Sequence, residues 1–252
     1  MEKKEFHQHY LPHFQQPGQA YFVTWCLKDS VPAKALESYT QKLNLLKWQI
    51  LSLGSANSDS PIRIINNFEA DAIRNFGSVL KLNVNEYTGS MSSEIVKLKK
   101  EYDIVRRKYI IAYDNLLDAE RNPIINLSKP ENREIIIASF KFWEGKKLNN
   151  CAFTIMSNHI HWVFELLEKD NQGNSVYLQD LLQSVKGFSA RRINSYENRS
   201  GNLWQKESFD ITIRNEEHLY NSINYTLNNP VKAGLVSNWK LWPGSWCGSD
   251  NF

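Results

Sequence analysis

Two apolar runs, 149–156 (NNCAFTIM) and 159–166 (HIHWVFEL), are separated only by Ser157 and Asn158. They read as two strands joined by a tight turn, and a chain that carries such a pair has to build a sheet with a core on at least one face. Residues two apart in a strand share a face. Ile160 therefore points into the core, while His159 and His161 present two imidazoles side by side on the opposite face. Spacing alone allows two readings of that pair: metal ligands, or two half-buried histidines with ordinary hydrogen bonds. There is no HExxH and no adjacent carboxylate cluster. A closed structural zinc site is thus disfavoured against an open site that takes one more ligand from elsewhere.

Other segments supply the remaining layers. Residues 20–27 (AYFVTWCL) are aromatic and β-branched, as in a strand entering a core. Beyond Pro32, placed where a helix can begin, Leu36, Tyr39, Leu43, Leu46, Ile50 and Leu53 recur every three or four residues. The repeat predicts an amphipathic helix ended by Gly54 and the SANSDSP stretch. A second such helix is predicted over 92–117, from Ile95, Leu98, Tyr102, Val105 and Tyr109. Its lysines and arginines, among them Lys97, Lys99, Lys100, Arg106, Arg107 and Lys108, read first as a solvated face and second as a nucleic-acid contact.

IRIINNF, within 62–90, could form a strand. Helices are expected over 131–144 and 178–195, a strand over 209–214, and a helix capped by Asn215 that ends at Asn229-Pro230. Strands and helices in this order predict a mixed α+β domain, a largely antiparallel sheet with helices packed on it. Residues 33–119 then form a helical-hairpin insertion into one domain spanning 1–252, and 237–252 a C-terminal tail.

Composition narrows the function classes. The 252 residues are 42% hydrophobic and 23% charged, with a net charge of +3 and a mean hydropathy of −0.49, which excludes disordered and collagen-like chains. The three cysteines form no CxxC pair, and we read them as reduced thiols. No stretch reaches the roughly 18–20 apolar residues of a membrane span, and MEKKEFHQHYLPHF lacks the apolar core of a signal peptide. A soluble, cytoplasmic protein without membrane contact is expected. No P-loop, GxGxxG or GxSxG motif occurs, so no nucleotide cofactor is expected.

Two further constellations carry chemistry. Tyr225 and Asn229 lie at i and i+4, on one face of a predicted helix. A tyrosine can attack phosphorus when a metal polarises the phosphate, although most tyrosines are packing residues. The tract 186–214 holds Lys186, Arg191, Arg192, Arg199, Lys206 and Arg214 against Glu197, Glu207 and Asp210, six minus three giving a local +3. Phe188, Tyr196, Trp204 and Phe209 are interleaved. Such charges track a phosphate backbone and such rings stack unpaired bases; Trp204 serves either stacking or the core, with the core preferred.

These residues together resemble a known family. FTIMSNHIHWVFEL resembles the His-hydrophobic-His (HUH) motif of single-tyrosine transposases. SVKGFSARRIN, then GNLWQKESFDITIRNEEHLYNSINYTLNNPVKAGLV, resembles the REP-associated tyrosine transposases, and so does LPHFQQPGQAYFVTWCL at the start. The resemblance spans 11–32 and about 120–243 and leaves 33–119 without a role.

It implies a ferredoxin-like fold and metal-dependent cleavage of single-stranded DNA at or near hairpins. In that reading His159, His161 and Asn229 hold Mg²⁺ or Mn²⁺, Tyr225 is the nucleophile that forms a 5′-phosphotyrosine link, and Lys186, Arg191, Arg192, Lys206, Arg214 and Trp204 face DNA. Mn²⁺ is the more natural partner for imidazole. Ser157 replaces the proline of many relatives, and Asn229 stands where distant ones carry glutamine. Competing readings are a catalytically silent hairpin-DNA-binding regulator and a replication initiator or relaxase. Monomer and homodimer both remain open.

Overall fold

The computed structural model describes residues 6–8, 12–14, 17–28, 30–32, 34–56, 93–119, 123–206 and 208–248. The chain divides into two compact units, Val31–Ala119 and Met1–Ser30 with Glu120–Phe252. Among the described residues the smaller unit holds α1 (Glu37–Ala56) and α2 (Ser93–Ala119). Ile50 and Ile95 form its buried contact, flanked by Leu53, Leu98 and Tyr102, while Lys42 and Glu101 pair at 2.9 Å. Contacts that ascend along one helix descend along the other, so the predicted stripes meet as an antiparallel hairpin. A turn from Pro32 precedes α1, which starts at Glu37 rather than beside the proline. Lys99, expected on the solvated basic flank, is buried. The strand considered at IRIINNF lies outside the described residues.

In the larger unit β1 (Phe6–Gln8) pairs with β2 (Pro12–Phe14) in a short antiparallel ladder that periodicity did not announce. The main sheet comprises β3 (Ala20–Cys26), β4 (Leu148–Ile155), β5 (His159–Leu166), β6 (Phe209–Ile213) and β7 (Ser245–Cys247). Its order is β6-β3-β5-β4-β7, with every neighbouring pair antiparallel. Helix α3 (Pro130–Trp143) lies in sequence between β3 and β4, and α4 (Leu178–Tyr196) between β5 and β6. Without β7 this is the βαββαβ order of a ferredoxin-like α+β fold. Helix α5 (Glu216–Lys232) follows.

Alternation sets the two faces of the sheet. Tyr21, Val23 and Trp25 of β3 and Ile160, Trp162, Phe164 and Leu166 of β5 join Ile136 and Phe140 of α3 and Leu181, Leu182, Val185 and Ile193 of α4 in one core. Trp162 is its centre. Its ring stacks on Phe140 at 4.2 Å, and its indole N–H donates to Asn150 Oδ1 at 2.7 Å. The buried positions of α4, Leu178, Leu181, Leu182, Val185, Ser189 and Ile193, share one face of the helix.

Two boundaries differ from expectation. Helix α5 continues through Pro230 to Lys232. Proline in a last turn gives up one backbone N–H but keeps helical φ, and the helix closes three residues later. There Gly234, at φ +67°, donates to Val231 and Leu235 donates to Pro230, the two bonds of a Schellman motif.

The stretch read as a C-terminal tail holds a 3₁₀ turn (Trp239–Leu241) and the edge strand β7. Trp246 stacks on Phe153 of β4 at 5.4 Å. Gly244 makes the approach possible, because a Cβ there would lie 2.5 Å from the Ile155 carbonyl oxygen. Three residues are too few to show a strand period, so the pairing was not readable from spacing.

Candidate active site

The face of the sheet opposite that core carries the predicted residues. His161 pairs in register with Thr24 of β3 on one side and Thr154 of β4 on the other. Cys26 pairs with His159 and Phe22 with Val163. Both imidazoles are buried, with ring centroids 4.9 Å apart. His161 Nδ1 meets Thr24 Oγ1 at 2.7 Å, and His159 Nδ1 meets Asn158 Oδ1 at 2.7 Å. Asn158 sits in the turn, whose own carbonyl accepts from the Leu27 N–H.

Helix α5 brings the tyrosine. Asn215 caps it through a bond from the His218 N–H at 2.8 Å, with Glu216 and Glu217 in the first turn, where the helix dipole favours acidic groups. His218, Ser222, Thr226 and Asn229, spaced by three or four, are all buried. Tyr225 belongs to this stripe and stands edge-on to His161, ring centroids 5.4 Å apart at 81°. It also stands edge-on to Phe22 at 5.7 Å, and Phe22 in turn stacks on His161 at 5.6 Å. Asn229 lies one helical turn beyond Tyr225. Tyr220, on the same helix, is 54% exposed.

Burial, the neighbouring His159 and the positive charge of Lys232, in that order, hold the His161 pKa well below the usual histidine range. The ring is therefore neutral at pH 7 and keeps a nitrogen lone pair. His161 Nε2 and Asn229 Oδ1 are both buried without a hydrogen-bond partner. Two uncharged donors of nitrogen and oxygen type, shielded and unspent, fit a divalent ion that carries its own charge into the site. Among the described residues no group of three or more His, Cys, Asp and Glu side chains could hold a metal. Any ion here thus depends on the amide, solvent or substrate to complete its shell.

The basic tract is divided among three places. Lys186, Arg191, Trp204 and Lys206, joined by Lys28, line a groove of ≈ 800 Å³ beside α4. Trp204 itself is buried, its indole N–H donating to the Lys186 carbonyl and to Ser189 Oγ, both at 3.1 Å. It packs against Trp25, so it belongs to the core face, away from the histidines. Lys186 Nζ donates to the carbonyls of Gln205 at 3.0 Å and Lys206 at 3.1 Å, closing the 201–206 loop onto α4. Arg192 is exposed on α4 outside the groove lining, and Arg214 lies at the end of β6 beside His218.

Three contributors were not singled out from sequence. Thr24 could be found only once the register of β3 on β5 was known. The chemical signal for Asn158 was its adjacency to His159. Lys232 falls seven residues after Tyr225, on the same side of α5.

Fold and site together define an antiparallel α+β domain with a buried histidine pair facing a helix-borne tyrosine. No family model matches the chain. A curated protein of Haemophilus influenzae, named a REP-associated tyrosine transposase, is 31% identical over 98 residues, covering 37% of this chain and 56% of that protein. The chain is thus similar over that stretch to a REP-associated tyrosine transposase, and it spans about half the length of the curated relative it matches. The solved structure of a REP-associated tyrosine transposase bound to a REP hairpin aligns over 97% of this chain and 82% of that one. Identity is 14% and the TM-score 0.39, too distant a likeness to bear on the site.

Proposed function

We propose that this protein is a metal-dependent single-stranded DNA endonuclease and strand transferase acting at hairpin DNA of the REP type. The observation that carries the reading is the placement of Tyr225 edge-on against a neutral, buried His161 whose Nε2 has no partner. His159, His161 and Asn229 would hold Mg²⁺ or Mn²⁺, and the ion supplies charge withdrawal from a scissile phosphate.

The chain's own residues do the rest. Tyr225 Oη attacks phosphorus and loses its proton as the bond to the 3′-oxygen breaks, and that oxygen takes up a proton. A 5′-phosphotyrosine ester and a free 3′-hydroxyl result. Attack by a 3′-hydroxyl on the ester restores the phenol and rejoins DNA, so the number of phosphoester bonds is conserved and no nucleotide hydrolysis is required. Burial of the imidazoles keeps water and protons from the ligand nitrogens. Arg191, Arg192, Lys206 and Arg214 position the DNA backbone. The charge of Lys186 contributes from behind the loop it closes, and Trp204 acts as the core support of the groove.

The test is a denaturing gel of the purified protein with labelled single-stranded hairpins from repeats flanking its own gene, in Mn²⁺ or in EDTA. A metal-dependent covalent protein–DNA band supports the enzyme. Tight binding without a band in any divalent metal overturns it in favour of a hairpin-binding regulator.

A further inference from the structure

We infer that Thr24 and Asn158 are positioning residues that fix the tautomer of the histidine pair, so that both rings aim Nε2 at the site. This rests on the metal reading above, and deepens it by assigning the groups behind the ligands.

A neutral imidazole has one N–H and one lone pair, and whatever the first nitrogen bonds decides which is left on the second. The Asn158 side-chain oxygen can only accept, so its 2.7 Å contact makes His159 Nδ1 the donor, and in a neutral ring the lone pair then sits on Nε2. Thr24 Oγ1 lies 2.7 Å from His161 Nδ1, and a hydroxyl can take either part. His161 Nε2 decides between them. It is buried with no partner, and a proton there would be a buried donor with no acceptor, whereas a lone pair there is available to a cation. Thr24 therefore accepts from Nδ1–H.

Thr24 is well placed to hold the ring still. It sits on β3, directly opposite His161 in the register, and is itself buried, so its hydroxyl has no water to exchange with. Groups that hold the far nitrogen of a ligating histidine typically govern about 10–100-fold in metal affinity. The spacing of the pair says nothing about this, because Thr24 comes from the opposite end of the chain.

The experiment compares the full-length protein with Thr24→Val, which keeps the shape and removes the acceptor, and Thr24→Ser, which restores it. The first readout is the histidine ¹⁵N chemical shifts of the metal-free protein at pH 7; the second is Mn²⁺ affinity by electron paramagnetic resonance. Nδ1–H at His161 in the wild type and the serine variant, a mixed or Nε2–H ring in the valine variant, and about 10–100-fold weaker Mn²⁺ binding by the valine variant alone support the assignment. An unchanged His161 tautomer and unchanged Mn²⁺ affinity in Thr24→Val overturn it. If the wild type binds no Mn²⁺ while the tautomer still follows Thr24, the positioning role stands and the metal reading falls.

Discussion

Tyr225 and His161 stand edge to face, ring centroids 5.4 Å apart, one on the last helix and the other on a central strand of the sheet. Phe22 touches both, stacking on the imidazole and meeting the phenol edge-on. The contact places a phenol, proposed as the nucleophile, beside an imidazole, proposed as a metal ligand, with the apolar ring of Phe22 against both. The chemistry proposed for this chain depends on that meeting.

Removing the imidazole should remove the response to metal. His161→Ala is expected to lower Mn²⁺-stimulated cleavage by more than the roughly 10–100-fold that changes behind a ligand cost. The check is a cleavage rate measured across a Mn²⁺ titration with hairpin DNA. Rates that follow the wild-type curve would show that His161 is no ligand.

The core makes a separate prediction. Trp162 is fully buried, stacked on Phe140 and bonded to Asn150. Trp162→Ala should destabilise the protein by about 3–5 kcal/mol through the cavity it opens, and it also strips Asn150 of its donor. Urea unfolding followed by circular dichroism measures it. A loss under about 0.5 kcal/mol, the range of ordinary surface substitutions, would contradict the packing described.

Stability should fall in mild acid. Burial first, and the charge of Arg214 second, push the His218 pKa down to about 4, while an unfolded histidine titrates near ~6.5. Between those values the unfolded chain binds a proton that the folded chain refuses, so stability declines as the pH drops from about 7 to about 4 and this contribution then levels off. His161, depressed for the same leading reason, acts in the same direction. Melting temperatures at pH 7, 5.5 and 4 should drop less steeply in His218→Leu than in the wild type; parallel slopes would refute the role of His218.

Local chemistry made much of this architecture legible. The two-residue turn at Ser157-Asn158 announced the hairpin, the three-four repeat announced α1 and α2, and Asn215 announced the start of α5. Features that depend on distant partners stayed hidden. The pairing of Thr24 with His161 is a matter of register, which no local pattern encodes. Edge strand β7 is held by Trp246 on Phe153 and by the bare Cα of Gly244, not by a period. Pro230 read as a stop, but the Schellman closure around Gly234 lets the last turn pass through it. Over 186–214, where aromatic and basic residues interleave, Trp204 packs in the core as preferred from sequence, while Arg214 follows the last residue of β6.

The central claim is that Tyr225 carries the DNA. The most direct measurement is fragment-ion sequencing of the nucleotide-bearing peptide, recovered after reaction with hairpin DNA in Mn²⁺ and nuclease trimming. The account predicts a 5′-phosphonucleotide on Tyr225, no adduct from Tyr225→Phe, and hairpin binding by that variant equal to wild type. A nucleotide on Tyr220, or an adduct that persists in Tyr225→Phe, would contradict it.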